Sequence, residues 1–270
     1  MRLGIGSWTY AWAIGVPGHL PARPLGALGL LERAAALGVG VVQVCDNLPL
    51  AGLPVVELEG FIGRARQLGI DLEVGTRGIA PEHLRTYLRL AERVGSPILR
   101  VVIDTPEHRP GEEEVIDALR AMAGELARAR LCLAVENHDR FQARTLARIV
   151  ERVASPWLGV CLDTVNSFGA LEGPAQVVEV LGPYVVNLHV KDFAVRRASH
   201  NMGFTIEGRP AGQGQLDIPW LLAELRRQRR DPNAIVELWT PPQPTLEATV
   251  AREEAWAASS VEYLRQLIPD

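Results

Sequence analysis

The amino-acid sequence predicts an α/β fold, a (β/α)8 TIM barrel that forms one domain over residues 1–270. Short apolar, β-branched runs alternate with longer amphipathic stretches along the whole chain, which is typical of a parallel sheet covered by helices on both faces. Eight such units follow one another at a spacing of roughly 30 residues, as a barrel of this kind requires. No stretch resembles an interdomain linker, so we expect a single domain.

Each strand is predicted from a short apolar run and each helix from a longer run with a 3.6-residue period. The predicted strands are Leu3–Gly6, Val41–Val44, Leu72–Val74, Ile98–Ile103, Leu131–Val135, Leu158–Leu162, Val185–Val190 and Ala234–Leu238. The predicted helices are Leu25–Leu37, Leu58–Leu68, Pro81–Val94, Glu112–Ala129, Arg144–Val153, Pro174–Leu181, Ile218–Arg227 and Thr245–Leu267. Gly38 and Gly69 are expected to close two of these helices. The segment Phe193–Leu216 is expected to be irregular, either a functional cap or a flexible insertion.

Composition and charge exclude several classes of function. A net charge of -4 and a pI near 5.9 give no electrostatic footprint for nucleic acid or an anionic membrane. No apolar run approaches the roughly 20 residues that span a bilayer, and the N-terminus meets a glycine and a polar side chain too soon for a signal peptide. Three cysteines cannot all pair, so reduced core thiols are the simplest interpretation. We expect a cytoplasmic protein without nucleic-acid or membrane partners, and the sequence leaves a homo-oligomer open.

Four predicted strands lead into a side chain that can bind a metal ion. These are Glu136, Asp163, His189 and Glu237, at the fifth to eighth strands. A lone carboxylate in such a place is usually a polar rim residue, but strand ends of a barrel converge on one pocket. Three carboxylates meeting there would repel one another unless a divalent cation were bound. The predicted cofactor is one divalent metal ion, with Mn²⁺ or Mg²⁺ favoured by the oxygen ligands and Co²⁺ or Zn²⁺ as alternatives.

The chain contains many arginines but a single lysine, Lys191, two residues after His189. If the strand continues, Lys191 shares the face of His189 and lies beside the metal. The pattern indicates a chemical role for this ammonium, as a proton donor or as a clamp for a carboxylate or phosphate. His138, two residues after Glu136, is a second candidate proton shuttle, although a hydrogen bond within its loop explains it equally well.

Five motifs in the C-terminal half together resemble one known family. They are VENHDRF at 135–141, LDTVN at 162–166, HVKD at 189–192, GQGQLD at 212–217 and VE at 236–237. This set is similar to the xylose isomerase-like TIM barrel superfamily, the sugar phosphate isomerase/epimerase group that includes ketose 3-epimerases and inosose dehydratases. The resemblance implies that Glu136, Asp163, His189 and Glu237 hold the metal. It also implies that Glu136 and Glu237 act as acid and base on opposite faces of the substrate.

The implied function is a divalent-metal-dependent isomerase or epimerase of carbohydrate metabolism, acting on a sugar or sugar phosphate. Its chemistry would be proton transfer through a metal-stabilised enediolate. The expected substrate-binding residues are Arg209, Asn166 and Trp8, the last lying in a loop with Tyr10 and Trp12. Ketose 3-epimerases usually carry His where Asn166 stands, which weakens the case for that subgroup.

Three other functions use the same barrel. The first is a lyase on the same site, either a decarboxylase of a 3-oxo sugar acid or an inosose-type dehydratase, because Lys191 would suit holding a carboxylate. The second is an abasic-site endonuclease with three zinc ions, which would need further histidines where Asp46, Thr76 and Asn166 stand. The third is a non-catalytic sugar-binding barrel, against which the intact ligand set argues.

Overall fold

A computed structural model describes residues 1–269 of the chain, and within them eight parallel strands close into a barrel. The barrel strands are β1 Leu3–Gly6, β2 Val41–Val44, β3 Asp71–Arg77, β4 Ile98–Val102, β5 Cys132–Glu136, β6 Leu158–Asp163, β7 Val185–Val190 and β10 Asn233–Val236. Two further strands, β8 Asp192–Arg197 and β9 Phe204–Arg209, pair with each other outside the barrel. The predicted single (β/α)8 barrel is confirmed.

The helices cover the outer face of the barrel, and all but the first, which was not predicted, follow the predicted ranges closely. They are α1 Ala11–Ile14, α2 Ala27–Leu37, α3 Val55–Leu68, α4 Pro81–Val94, α5 Glu112–Ala129, α6 Ala143–Val153, α7 Pro174–Leu181, α8 Ile218–Arg227 and α9 Leu246–Arg265. Helices α2 and α3 end at Gly38 and Gly69, both with φ of 67°, the left-handed conformation expected at a helix end. Over residues 1–269, none of the helices has the length and apolar character needed to cross a membrane.

The buried apolar side chains form two separate clusters. The larger lies between the strands and the helices and includes Leu133, Val135 and Leu162. The smaller consists of Ile98, Ala134 and Cys161 and belongs to the opposite face of the strands, the barrel interior. Small residues therefore lie inside the barrel beneath Glu136 and Asp163, as alternation along β5 and β6 predicts. The three cysteines are unpaired, as expected.

The segment after β7 is more regular than its sequence indicates. In place of an irregular Phe193–Leu216, strands β8 and β9 form an antiparallel ribbon. The carboxylate of Asp192 anchors the ribbon, because it accepts backbone N–H groups at 2.8 to 3.0 Å from Phe193, Gly212, Gly214 and Leu216. A Cβ at Gly214 would lie 2.0 Å from Asp192 Oδ1, so only glycine fits there. The prediction was wrong because the apolar alternation is short, as at Phe204 and Ile206 of β9, and much of the ribbon is exposed instead of packing on the core.

Candidate active site

The four predicted metal ligands meet at the carboxyl-terminal end of the barrel. His189 Nδ1 lies 3.3 Å from Glu136 Oε2, 3.3 Å from Glu237 Oε1 and 3.8 Å from Asp163 Oδ2. Strand register produces this convergence, since Asp163 and His189 are direct partners across β6 and β7. All four side chains are buried. An imidazole nitrogen and three carboxylates therefore face one another in a buried position.

The unpaired atoms of this cluster test whether it suits a cation. Within residues 1–269, His189 Nδ1 and Glu237 Oε1 are buried without a hydrogen-bond partner, whereas Asp163 Oδ2 and Glu237 Oε2 pair with the ammonium of Lys191 alone. Ligand atoms of Asp163, His189 and Glu237 lie within 4.8 Å of one another. Unpaired buried polar atoms are costly, and a divalent cation would satisfy them together. The donor set therefore fits a divalent metal ion.

The imidazole of His189 is held from its other nitrogen. His189 Nε2 lies 2.7 Å from Gln43 Oε1 on β2, and because an amide oxygen can only accept, the hydrogen lies on Nε2. The lone pair of Nδ1 then points at the carboxylates, as metal-binding histidines require. Gln43 is itself fixed, since its Nε2 donates to Glu73 and Asn187 at 2.9 Å.

Two asparagines position the carboxylates. Asn137 accepts the backbone N–H of Asp163 at 2.7 Å and donates to its carbonyl oxygen at 2.8 Å, which fixes the end of β6. Asn166 Nδ2 donates to Glu136 Oε1 at 2.7 Å. The predicted substrate-binding residue Asn166 thus contacts a predicted metal ligand as well as the cavity above it.

The single lysine lies at the edge of the ligand cluster. Lys191 Nζ is 2.7 Å from Asp163 Oδ2 and 2.8 Å from Glu237 Oε2, with its side chain 8% exposed. The ring of Trp239 lies on its other side, with its centroid 5.9 Å from Nζ. The ammonium is therefore held between two predicted ligands at the floor of a cavity.

A second buried cation, Arg100 on β4, was missed in the sequence. Its Nε donates to Glu136 Oε2 and its Nη1 donates to Asp46 Oδ1 at 2.9 Å. Asp46 also accepts from Arg77 Nε at 3.3 Å, so one carboxylate joins two guanidinium groups. The sequence contained one indication of this site residue, because Arg100 is a charged residue inside the apolar run Ile98–Ile103.

These ion pairs determine the charge of the site. Burial acts to raise the pKa of Glu136, but Arg100 holds that pKa below its ordinary value. Burial acts in the same direction on Asp163, and Lys191 nevertheless holds the pKa of Asp163 well below its usual range. For Lys191, burial acts to lower the pKa, and Asp163 reverses this and raises the pKa well above normal. At neutral pH, Glu136 and Asp163 are therefore ionised and Lys191 is protonated.

A cavity of about 110 Å³ opens above the ligands. Its lining combines predicted and missed residues: Trp8, Arg77, Arg100, Glu136, His138, Asn166, Lys191, Glu237 and Trp239. A second cavity of about 350 Å³ shares Trp8, Lys191 and Trp239 with it. In the described part of the chain, the buried Trp8 Nε1 has no acceptor, so it is free to donate to a bound molecule.

The remaining predicted residues divide into two groups. His138 lines the cavity, and its Nδ1 lies 3.0 Å from the carboxylate of the next residue. Arg209 is not among the described residues that line it, because its guanidinium turns back to Glu207 at 3.0 Å and to the adjacent carbonyl oxygen. Tyr10 is buried in the core and is not available to a sugar.

Comparison with known proteins identifies a family and a relative of known name. The family model described as xylose isomerase-like TIM barrel matches residues 31–267. A protein of Pectobacterium atrosepticum named 3-oxo-isoapionate decarboxylase is 38% identical over 264 residues, which cover 98% of this chain and 95% of that protein.

Solved structures of similar shape are more distant in sequence. A D-psicose 3-epimerase from Clostridium cellulolyticum H10, solved with D-tagatose, has a TM-score of 0.74 at 14% identity and 99% coverage of both chains. A xylose isomerase-like TIM barrel protein from Mycobacterium smegmatis, solved in complex with magnesium, has a TM-score of 0.70 at 13% identity and 97% coverage of both chains. At these identities the likeness establishes the fold alone.

Proposed function

Because this chain belongs to the xylose isomerase-like TIM barrel family, we propose that it is a divalent-metal-dependent lyase that decarboxylates a 3-oxo sugar acid. The lyase, which the sequence suggested as an alternative, is thereby preferred to the isomerase or epimerase. Two independent lines support the choice: the name of the relative that is 38% identical, and the charge pairing of the two glutamates.

The pairing of both glutamates with cations carries the proposal. Glu136 is bound to the buried guanidinium of Arg100, and Glu237 lies 2.8 Å from Lys191 Nζ. An epimerase needs a base on one face of the carbon and an acid on the other. A carboxylate neutralised by a buried guanidinium is a weak base. Decarboxylation needs no base, because only one proton has to be delivered after CO2 leaves.

The bond changes follow from that requirement. The bond between the substrate's carboxylate and its α-carbon breaks, and its electron pair moves into the neighbouring 3-oxo group, so CO2 leaves and an enediolate forms. Lys191 Nζ then donates a proton to the α-carbon, and solvent returns a proton to the lysine. When bound by Glu136, Asp163, His189 and Glu237, a divalent cation such as Mn²⁺ or Mg²⁺ supplies a Lewis acid for the substrate's carbonyl and hydroxyl oxygens.

The other lining residues orient the substrate. The unpaired Trp8 Nε1 donates to a substrate hydroxyl, and its ring and that of Trp239 exclude water from one side. Asn166 holds Glu136 and lines the cavity. His138 is the alternative proton donor, because it lines the cavity outside the ligand set and, unlike the lining arginines, its side chain exchanges a proton readily.

The test is CO2 release from a panel of 3-oxo sugar acids by the Mn²⁺-loaded protein. In D2O, the product should carry one deuterium at the carbon that lost CO2. Lys191→Met should reduce kcat by about 10²- to 10⁴-fold, the usual contribution of a proton donor. Lys191→Arg keeps the charge but is a poor acid, so it should be nearly as slow. If Lys191→Arg kept wild-type kcat, the proton-donor role would be wrong.

The second candidate is the isomerase or epimerase that the motifs resemble. One observation favours it: Lys191 contacts only Oε2 of Glu237, which leaves Oε1 without a hydrogen-bond partner in residues 1–269. That oxygen could take a proton from a sugar carbon. Exchange of solvent deuterium into a panel of ketoses, without CO2 release from any 3-oxo acid, would establish this function and refute the decarboxylase.

A further inference from the structure

Two arginines in neighbouring strands differ in how much of their charge is paired with carboxylates. The side chain of Arg100 is 3% exposed, and its charge is shared between Glu136 and Asp46. The side chain of Arg77 is 30% exposed. Within residues 1–269, its contacts are Nε with Asp46 at 3.3 Å and Nη1 with the carbonyl oxygen of Asp104 at 3.2 Å. Nη2 of Arg77 therefore keeps both hydrogens for another acceptor.

Arg77 and Lys191 lie on opposite sides of the barrel mouth. The strand order places β3, which ends at Arg77, four strands away from β7, which precedes Lys191. Both side chains nevertheless line the same cavity of about 110 Å³. The predicted metal ligands belong to β5, β6, β7 and the end of β10, on the Lys191 side. A substrate whose oxygens face the ligands thus turns another substituent toward Arg77.

The charge of the site identifies that substituent. The three acidic ligands and Asp46 are four carboxylates, and they face the three cationic side chains of Arg77, Arg100 and Lys191. One negative charge remains, so a divalent cation would leave the whole site with one positive charge. A neutral sugar would leave that charge uncompensated in a largely buried site, whereas one carboxylate on the substrate balances it.

We propose that Arg77 binds the carboxylate of the substrate that later leaves as CO2. Asp46 positions Arg77 by accepting from its Nε. The inference deepens the proposed decarboxylation and rests on it for the identity of the leaving group. As the C–C bond breaks, the carboxylate loses its charge, so the ion pair with Arg77 weakens in the transition state. Substitution of Arg77 is therefore expected to change KM, whereas substitution of Lys191 is expected to change kcat.

The experiment compares Arg77→Gln with Arg77→Lys, which keeps the charge, and with Arg89→Gln, an exposed charge control on α4. The probes for calorimetry on Mn²⁺-loaded protein are D-erythronate and erythritol, which differ by one carboxylate. Arg77→Gln should weaken erythronate binding about 10- to 100-fold, as expected for a charge-assisted hydrogen bond, with erythritol binding unchanged. KM for the 3-oxo acid should rise equally, with kcat no lower. Arg77→Lys should lie between wild type and Arg77→Gln.

The outcomes separate this inference from the proposed function. Unchanged erythronate affinity and KM in Arg77→Gln, with CO2 still released, would overturn the role of Arg77 alone. An Arg77-dependent preference for erythronate without CO2 release by the wild type would leave the carboxylate site standing and refute the decarboxylase. If Arg77→Gln does not fold, as thermal melting would reveal, Arg77→Lys decides: an erythronate affinity equal to that of wild type, with no change in KM, refutes the proposal.

Discussion

The two halves of the barrel mouth have opposite chemical character. The half formed by β5, β6, β7 and β10 presents carboxylates and an imidazole around His189 Nδ1. The half formed by β2, β3 and β4 presents Arg77 and Arg100, joined by Asp46. The first half suits a cation and the second an anion. A site with both is suited to a substrate that chelates a metal and also carries a carboxylate.

The two halves are connected by one ion pair. Arg100 from the basic half binds Glu136 from the acidic half, and both side chains are almost completely buried. The acidic half is therefore partly neutralised before any metal binds. Because of this ion pair, Glu136 is not a free glutamate. The pair can be tested by substituting Arg100 or Glu136.

The largest expected effect is on the acidic half. His189→Ala removes the nitrogen on which the three carboxylates converge, so the protein should lose its bound metal and its activity. Elemental analysis after dialysis against Mn²⁺ should find about one ion per wild-type chain and almost none in the variant. Arg77→Gln, in the basic half, serves as the control and should retain the ion. Full metal content in His189→Ala would contradict the four-ligand site.

The next effect tests the connection between the halves. Arg100→Met leaves Glu136 buried without its counter-charge, which should destabilise the metal-free protein by about 3–5 kcal/mol in urea unfolding. The double variant Arg100→Met/Glu136→Gln should recover much of that loss, because no unpaired charge remains. Additive losses in the double variant would show that the ion pair does not couple the two residues.

A smaller effect concerns the support beneath His189. Gln43→Met removes the acceptor that holds His189 Nε2, so the affinity for Mn²⁺ should fall about 10- to 100-fold in a chelator competition. Gln213→Met, at an exposed position near the ribbon, is the matched control. An unchanged affinity in Gln43→Met would mean that packing alone orients the imidazole.

The smallest effect on the site itself concerns the loop that joins β1 to α2 and carries Trp8. Burial raises the pKa of Glu253 to about 7, although its carboxylate accepts the backbone N–H groups of Trp12 and Ala13. A raised pKa stabilises the fold below the ordinary value of 4.5, and this contribution is lost as pH rises to about 7. Glu253→Gln should remove that pH dependence, which amounts to about 3 kcal/mol at most over this range. Melting curves from pH 4 to 8, with exposed Glu262→Gln as control, would reveal it.

The fold and the acidic half were accessible from the sequence. Eight apolar runs with helical stretches between them specify a barrel, because hydrophobic period is a local property of the chain. Glu136, Asp163 and His189 could be found because each ends or nearly ends such a run, and strand ends of a barrel converge. Lys191 was noticeable as the only lysine. None of this required knowledge of which residues touch.

The basic half was decided by tertiary structure. Arg100 lies inside a strand, and its partners Asp46 and Glu136 are 54 and 36 positions away, so only the closed barrel brings them together. Arg209 shows the converse, since its motif resembles a substrate contact but the ribbon turns its guanidinium to Glu207. The sequence by itself determined which groups reach the mouth of the barrel. Which of them pair, and hence which remain free to react, depends on side-chain contacts between distant strands, and the tertiary structure alone decided it.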